Sequence, residues 1–127
     1  MILTLDHTDA RPIYLQIMDE IRRAIVLGTV ADDEPLPSVR ALSAELKINP
    51  NTVVQAYREL EREGVVYVKR GLGTFVTPQQ STDDERAKLA RGVAERAVQE
   101  AYRHGLTTGQ LIDAVREIAA ADEENEE

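Results

Sequence analysis

Between positions 49 and 55 the chain reads NPNTVVQ, which puts Asn49, Asn51, Thr52 and Gln55 close together at what reads as the leading end of a helix. Amide and hydroxyl groups at a helix start can hydrogen-bond base edges or phosphate oxygens of a duplex. Cations flank them, with Arg40 upstream and Lys69 and Arg70 downstream. Taken singly, each has an ordinary structural explanation. Asn49 and Thr52 suit helix capping, Arg40 a solvated helix face, and Gly71-Leu72-Gly73 a hairpin turn. Catalytic raw material is poorer still. His7 and His104 lie in different segments, Ser38 and Ser43 have no paired histidine in view, and no carboxylates fall at metal-ligand spacing. Glu59, Glu61 and Glu63 read as a solvated helix face, and Asp32-Asp33-Glu34 as a solvated loop. No enzyme activity, metal or cofactor is expected.

Composition bounds the rest. The 127 residues carry 15 Lys plus Arg against 23 Asp plus Glu, a formal charge of −8, and no cysteine. This length holds one compact unit, or a small domain with an appendage. Without cysteine there is no disulfide framework and no thiolate site, which fits a reducing cytoplasm. Apolar runs such as AIVL fall far short of the ~20 residues a bilayer requires, so no membrane span is expected. An acidic total argues against nucleic acid unless the charge is uneven, and it is. Residues 36–71 hold six basic against four acidic residues, whereas residues 79–127 hold six against twelve.

Periodicity supplies the elements that would position these groups. Residues 2–5 (ILTL) read as a short strand or an arm. Ile13, Ile17, Ile21, Ala24 and Ile25, with Tyr14 and Met18 beside them, recur at helical spacing from Pro12 to Leu27, and Gly28 ends the run. Ser38 caps a short second helix with Val39, Leu42 and Leu46 on one side. After a very tight turn, Asn49 caps a third helix with Pro50 at its first position, where the missing N–H costs nothing. Its core stripe is Val53, Ala56, Tyr57 and Leu60, and Gly64 follows its last turn. Val65–Val68 and Thr74–Thr77 are β-branched and aromatic around KRGLG, a β-hairpin. Residues 79–84 (QQSTDD) read as a linker. A long alanine-rich fourth helix then runs to about His104-Gly105, and Thr107 with Gln110 forms a capping box for a fifth.

Three helices, the second and third closely joined, followed by a hairpin with a basic turn, is the order of a winged helix-turn-helix. In that arrangement the third helix enters the major groove and the hairpin lies against the backbone or minor groove. The residues LPSVRALS, NPNTV, AYRELEREG and RGLGTFV, in register over about residues 9–77, resemble the DNA-binding domain of GntR-family bacterial repressors. The short two-helix remainder resembles the family's YtrA-type branch, whose members lack the large effector domain and are dimers that often control transporter operons. The residues expected to contact DNA are Ser38, Arg40, Asn49, Pro50, Asn51, Thr52, Gln55, Lys69, Arg70 and Gly71, and among these the resemblance matches Asn49, Asn51 and Thr52 with the family's polar helix-three start. Arg40 matches an arginine that contacts backbone or a guanine, and Arg70 and Gly71 match the wing tip. Val54 stands where some members carry a second base-reading arginine, so their operator sequence does not transfer. Tyr57 suits either the core stripe or a phosphate contact, and core with its hydroxyl outward is the favoured reading.

Helices four and five form an amphipathic pair whose stripes, Leu89, Val93 and Ala97 on one and Leu111, Val115 and Ile118 on the other, have to be buried somewhere. A two-fold dimer buries them; folding back onto helix one within a monomer is the other solution. About two residues of connection leave no room for an enclosed metabolite pocket, so a small-molecule effector is unknown and no large pocket is expected. The fold expected is mainly α with a small β-hairpin. Residues 1–78 form the winged helix-turn-helix, 79–121 a two-helix dimerisation segment and 122–127 a disordered acidic tail. The reading is a homodimeric, sequence-specific DNA-binding transcription regulator, a repressor occluding a promoter at a pseudo-palindromic operator. The alternative is a winged-helix adaptor for another protein; that role requires exposed apolar residues on helix three, where Asn51, Thr52, Gln55 and Arg58 are polar.

Overall fold

The computed structural model describes residues 3–79 and 83–125. The elements are α1 (Ile13–Leu27), α2 (Val39–Leu46), α3 (Pro50–Arg62), β1 (Val66–Lys69), β2 (Gly73–Val76), α4 (Asp83–Arg103) and α5 (Thr108–Asn125). They fall into two units, residues 1–79 and 80–127.

The first unit is built around α3, which packs on α1, α2 and β1. Its stripe of Val53, Ala56, Tyr57 and Leu60 is buried as the periodicity requires. Ile17, Ile21, Leu42, Val66 and Val76 complete the buried core, and Met18, Val30, Leu36 and Leu3 close its edges. Residues 3–5 therefore form an arm and not a strand, with Leu3 as its anchor, and residues 1 and 2 lie outside the described ones. Asp6 N–H donates to Gln16 Oε1 at 2.9 Å, which ties that arm to α1. Pro12 immediately precedes α1, and Gly28 ends it at φ 78° with its N–H on the Ala24 and Ile25 carbonyls. At the other end of the unit Arg22 of α1 pairs with Glu63 just past α3.

Tyr57 corrects one expectation. Its hydroxyl is not turned outward but donates to the Pro37 carbonyl at 2.7 Å, tying the approach to α2 onto α3. Burial holds the phenol neutral and pushes its pKa well up. Folding thus favours the protonated form, so this stabilisation is complete below about pH 10, the ordinary tyrosine value, and falls as pH rises above it. Tyr57→Phe should cost about 1 kcal/mol at pH 7 and remove that part of the alkaline loss. Urea melts of the two proteins at pH 8 and pH 11 test both expectations.

In the second unit Thr107 and Gln110 form the expected box. Thr107 N–H donates to Gln110 Oε1 at 2.9 Å, and Gln110 N–H donates to Thr107 Oγ1 at 3.1 Å. Two boundaries are corrected. Asp83 and Asp84, read as linker, occupy the first turn of α4, where carboxylates complement the helix dipole; residues 80–82 lie outside the described residues. The acidic run is helical through Asn125, because Ala119–Ala121 and the glutamates are strong helix formers and each added residue closes a further backbone bond. Residues 126 and 127 lie outside the described ones.

Candidate nucleic-acid interface

The turn between α2 and α3 decides how their N-terminal residues are presented. Lys47 ends α2 in the left-handed region, φ 56° and ψ 47°, which brings the Ile48 N–H to 3.1 Å from the Ser43 carbonyl. Few side chains adopt this conformation readily, yet it lets three residues reverse the chain while Ile48 stays packed on the core. Asn49 then caps α3: its Oδ1 accepts from the Asn51 N–H at 2.8 Å, and Pro50 takes the first helical position. With Oδ1 committed to the cap, Asn49 keeps its amide N–H₂ group to offer. Asn51 and Gln55 are exposed and Thr52 is half-buried, on the face opposite Val53, Ala56 and Leu60. No acidic residue stands in the first turn of α3. Glu59 is engaged by Arg62 at 3.1 Å and Glu63 by Arg22, so these carboxylates belong to the far end of the helix.

Ser38 Oγ accepts from Ala41 N–H at 3.0 Å and so holds the start of α2, where Arg40 is exposed. The Tyr57–Pro37 bond fixes this start against α3. Ion pairing separates the cations of the unit. Arg11 is held by Asp9 and Asp19, and Arg62 by Glu59, while Arg40, Lys47, Arg58 and Arg70 have no ion pair among the described residues. Those four lie in the stretch that the charge count singles out, and an unpaired guanidinium or ammonium is what a phosphate displaces counterions to meet. Lys47 and Arg58 were not among the expected contacts; their unpaired state was not visible in local spacing.

The hairpin pairs Val66 with Val76, Tyr67 with Phe75, Val68 with Thr74 and Lys69 with Gly73. Arg70, Gly71 and Leu72 form its tip, closed by Leu72 N–H on the Lys69 carbonyl at 2.9 Å. Gly71 sits at φ 81°, and a Cβ there would touch nothing, so backbone conformation and not space calls for glycine. Arg70 is free at the tip, but Lys69 is not simply extended into solvent. Its ammonium lies 5.2 Å from the Phe75 ring centre and 5.8 Å from that of Tyr67. The two rings stack at 5.7 Å. Alternation along β1 puts Tyr67 and Lys69 on one face, which makes the cation part of an aromatic platform.

A third backbone segment joins the wing. Asp33 N–H donates to the Val76 carbonyl at 2.8 Å, Leu36 N–H to Thr74 at 2.8 Å, and Val76 N–H to Glu34 at 3.0 Å. Pro35 bridges Phe75. The acidic loop read as mere solvated charge is therefore the strip that flanks β2 on the side away from β1. The arrangement can bind a polyanion with shaped polar groups. Beside exposed Pro50 and half-buried Val54, the outward residues Asn51, Thr52, Gln55 and Arg58 of α3 are polar.

Comparison with known proteins agrees. The family described as bacterial regulatory proteins, gntR family, matches residues 13–76. The chain is similar to YhcF of Bacillus subtilis, named an uncharacterized HTH-type transcriptional regulator, at 38% identity over 84% of this chain and 89% of that one. It is similar to the HTH-type transcriptional repressor YtrA of the same organism, at 31% identity over 94% and 93%. Among solved structures, a transcriptional antiterminator from Listeria monocytogenes superposes with a TM-score of 0.76 at 28% identity, covering 94% of this chain and 90% of that one. The AraR DNA-binding domain in complex with operator ORE1 superposes with a TM-score of 0.52 at 27% identity, covering 61% and 94%. Residues 13–76 are a DNA-binding winged helix, and the relatives are regulators and not enzymes. The chain belongs to the gntR family of bacterial regulatory proteins.

Proposed function

We propose that the protein acts in the cytoplasm as a homodimeric repressor that recognises a pseudo-palindromic operator. The observation that carries this is the rigidly capped start of α3, exposed and free of acid, beside the unpaired cations Arg40, Lys47 and Arg58. Asn51, Thr52 and Gln55 read base edges, and Asn49 Nδ2 and Arg40 hold phosphate or an adjacent guanine. Arg70, Gly71 and Lys69 meet the backbone from the wing. Repression follows from the names of relatives such as YtrA and from occlusion of a promoter by a bound dimer. No helix among the described residues is long and apolar enough to cross a membrane.

Dimerisation is supported by what α4 and α5 leave uncovered. Ala101 is the one buried residue described in this unit. Leu89, Val93, Val115 and Ile118 remain 65%, 58%, 54% and 64% exposed, with Ala97 and Leu111 half-buried. Two such helices do not offset their own ordering entropy with a single buried alanine. A second copy covers the stripes and sets two recognition helices at the spacing of an operator.

The test is selection of bound duplexes from a random DNA pool, with affinity for the winner then followed across salt. A two-fold symmetric site and a steep negative salt slope are expected, each neutralised phosphate contributing about −0.9 to log K against log salt. No enrichment would overturn the reading. Arg40→Ala should weaken binding to the selected duplex by about 1–3 kcal/mol and relax preference at one base pair if it reads guanine. If it holds phosphate, the loss is uniform across sequences and the slope falls by about one contact. An unchanged affinity removes Arg40 from the interface.

A further inference from the structure

Asp33 and Tyr67 are 34 residues apart, and neither is part of the expected interface, yet the Tyr67 hydroxyl donates to Asp33 Oδ1 at 2.5 Å. Asp33 belongs to the strip on one side of β2 and Tyr67 to β1 on the other. The bond therefore runs across β2, beside Phe75, as a side-chain staple independent of the backbone ladder. Asp33 holds this place in the left-handed region, φ 62°, a conformation most residues avoid and glycine or asparagine accept more easily. The Tyr67 ring that it fixes is stacked on Phe75, and the Lys69 ammonium lies over both rings.

We propose that Asp33 is a positioning residue for DNA binding: its carboxylate locks the Tyr67–Phe75 platform, which holds the Lys69 ammonium where the wing meets the phosphate backbone. The proposal rests on the reading of the wing as a phosphate-contacting element. It turns an apparent liability, an acidic side chain next to a cationic wing, into the device that aims the cation. Simple electrostatics makes the opposite forecast, because deleting a negative charge near a polyanion should tighten binding. The two accounts therefore differ in sign.

The experiment uses the full chain and the duplex selected by the wild-type protein, with affinity measured from low to moderate salt. Asp33→Gly and Asp33→Asn remove the same charge and both accept a left-handed backbone, but only asparagine keeps an oxygen to accept the phenol's hydrogen bond. Asp33→Gly should bind three- to tenfold more weakly, with a salt slope shallower by about one phosphate contact. Its melting temperature should not fall in proportion, since glycine relieves the backbone. Asp33→Asn should match or exceed wild-type affinity. Tyr67→Phe keeps the stack but not the staple and should resemble Asp33→Gly, and the double variant should be no worse than either single one. Tighter or unchanged binding by Asp33→Gly would overturn the proposal. Arg70→Ala separates the two levels. If it also leaves the slope unchanged, the wing does not contact phosphate and both readings fall; if it lowers the slope while Asp33→Gly does not, Asp33 alone is dismissed.

Discussion

Replacing Val115 and Ile118 together by aspartate should lower affinity for a two-half-site operator by about 10²–10⁴-fold, the usual advantage of binding two linked sites at once. Both side chains are more than half exposed in the single chain, so an aspartate there disturbs little within it. In a dimer, each would bring an uncompensated charge into the apolar seam formed with Leu111, on the i, i+4, i+7 stripe of α5. If the proposed dimer forms, sedimentation should show the variant as a monomer at concentrations where the wild type sediments as two copies. Binding to a single half-site should change little, since the proposed recognition surface lies in the other unit. A double variant that stays dimeric and binds normally would show that α5 is not the seam, leaving the stripe of Leu89, Val93 and Ala97 to be tested alone.

That contrast between units also shows what local sequence carries. The α3 stripe, the Ser38 and Asn49 caps and the Thr107–Gln110 box were legible because each is a pattern within a turn or two of helix, where periodicity and side-chain reach decide the outcome. The α3 positions proposed as interface, Asn51, Thr52 and Gln55, are the polar residues left over once the core stripe is removed. What was missed spans distance. The 33–36 strip looked like a charged loop because its partners on β2 lie some forty residues away, and charge conceals a backbone pairing that is indifferent to side chains. An amphipathic residue such as Tyr57 on a helix edge has two environments open to it, and only the Pro37 carbonyl, twenty residues away, decides between them. At the acidic end of α5, repulsion between like charges suggested disorder, but helix formers already attached to a helix need no new nucleus.

Leu60→Ala should be the most damaging single change to the DNA-binding unit. Leu60 has no solvent exposure and lies on α3, where the helix packs on α1, α2 and β1. Removing its isobutyl group costs the transfer free energy and leaves a cavity, together about 2–5 kcal/mol. A small domain is stable by only about 5–15 kcal/mol, so the urea midpoint should drop sharply with an unchanged slope. The consequence for DNA binding has a geometric cause as well. Leu60 is on the buried face of the same helix whose opposite face presents Asn51 and Gln55, so a cavity beneath one face lets the other tilt. Gln55→Ala provides the control. It should leave the urea midpoint nearly where it was while weakening binding to the selected duplex, because its side chain is exposed and bonded to nothing else in the described chain. If Leu60→Ala kept full stability, α3 would not be the centre of the core; if Gln55→Ala kept full affinity, the second turn of α3 would lie outside the groove.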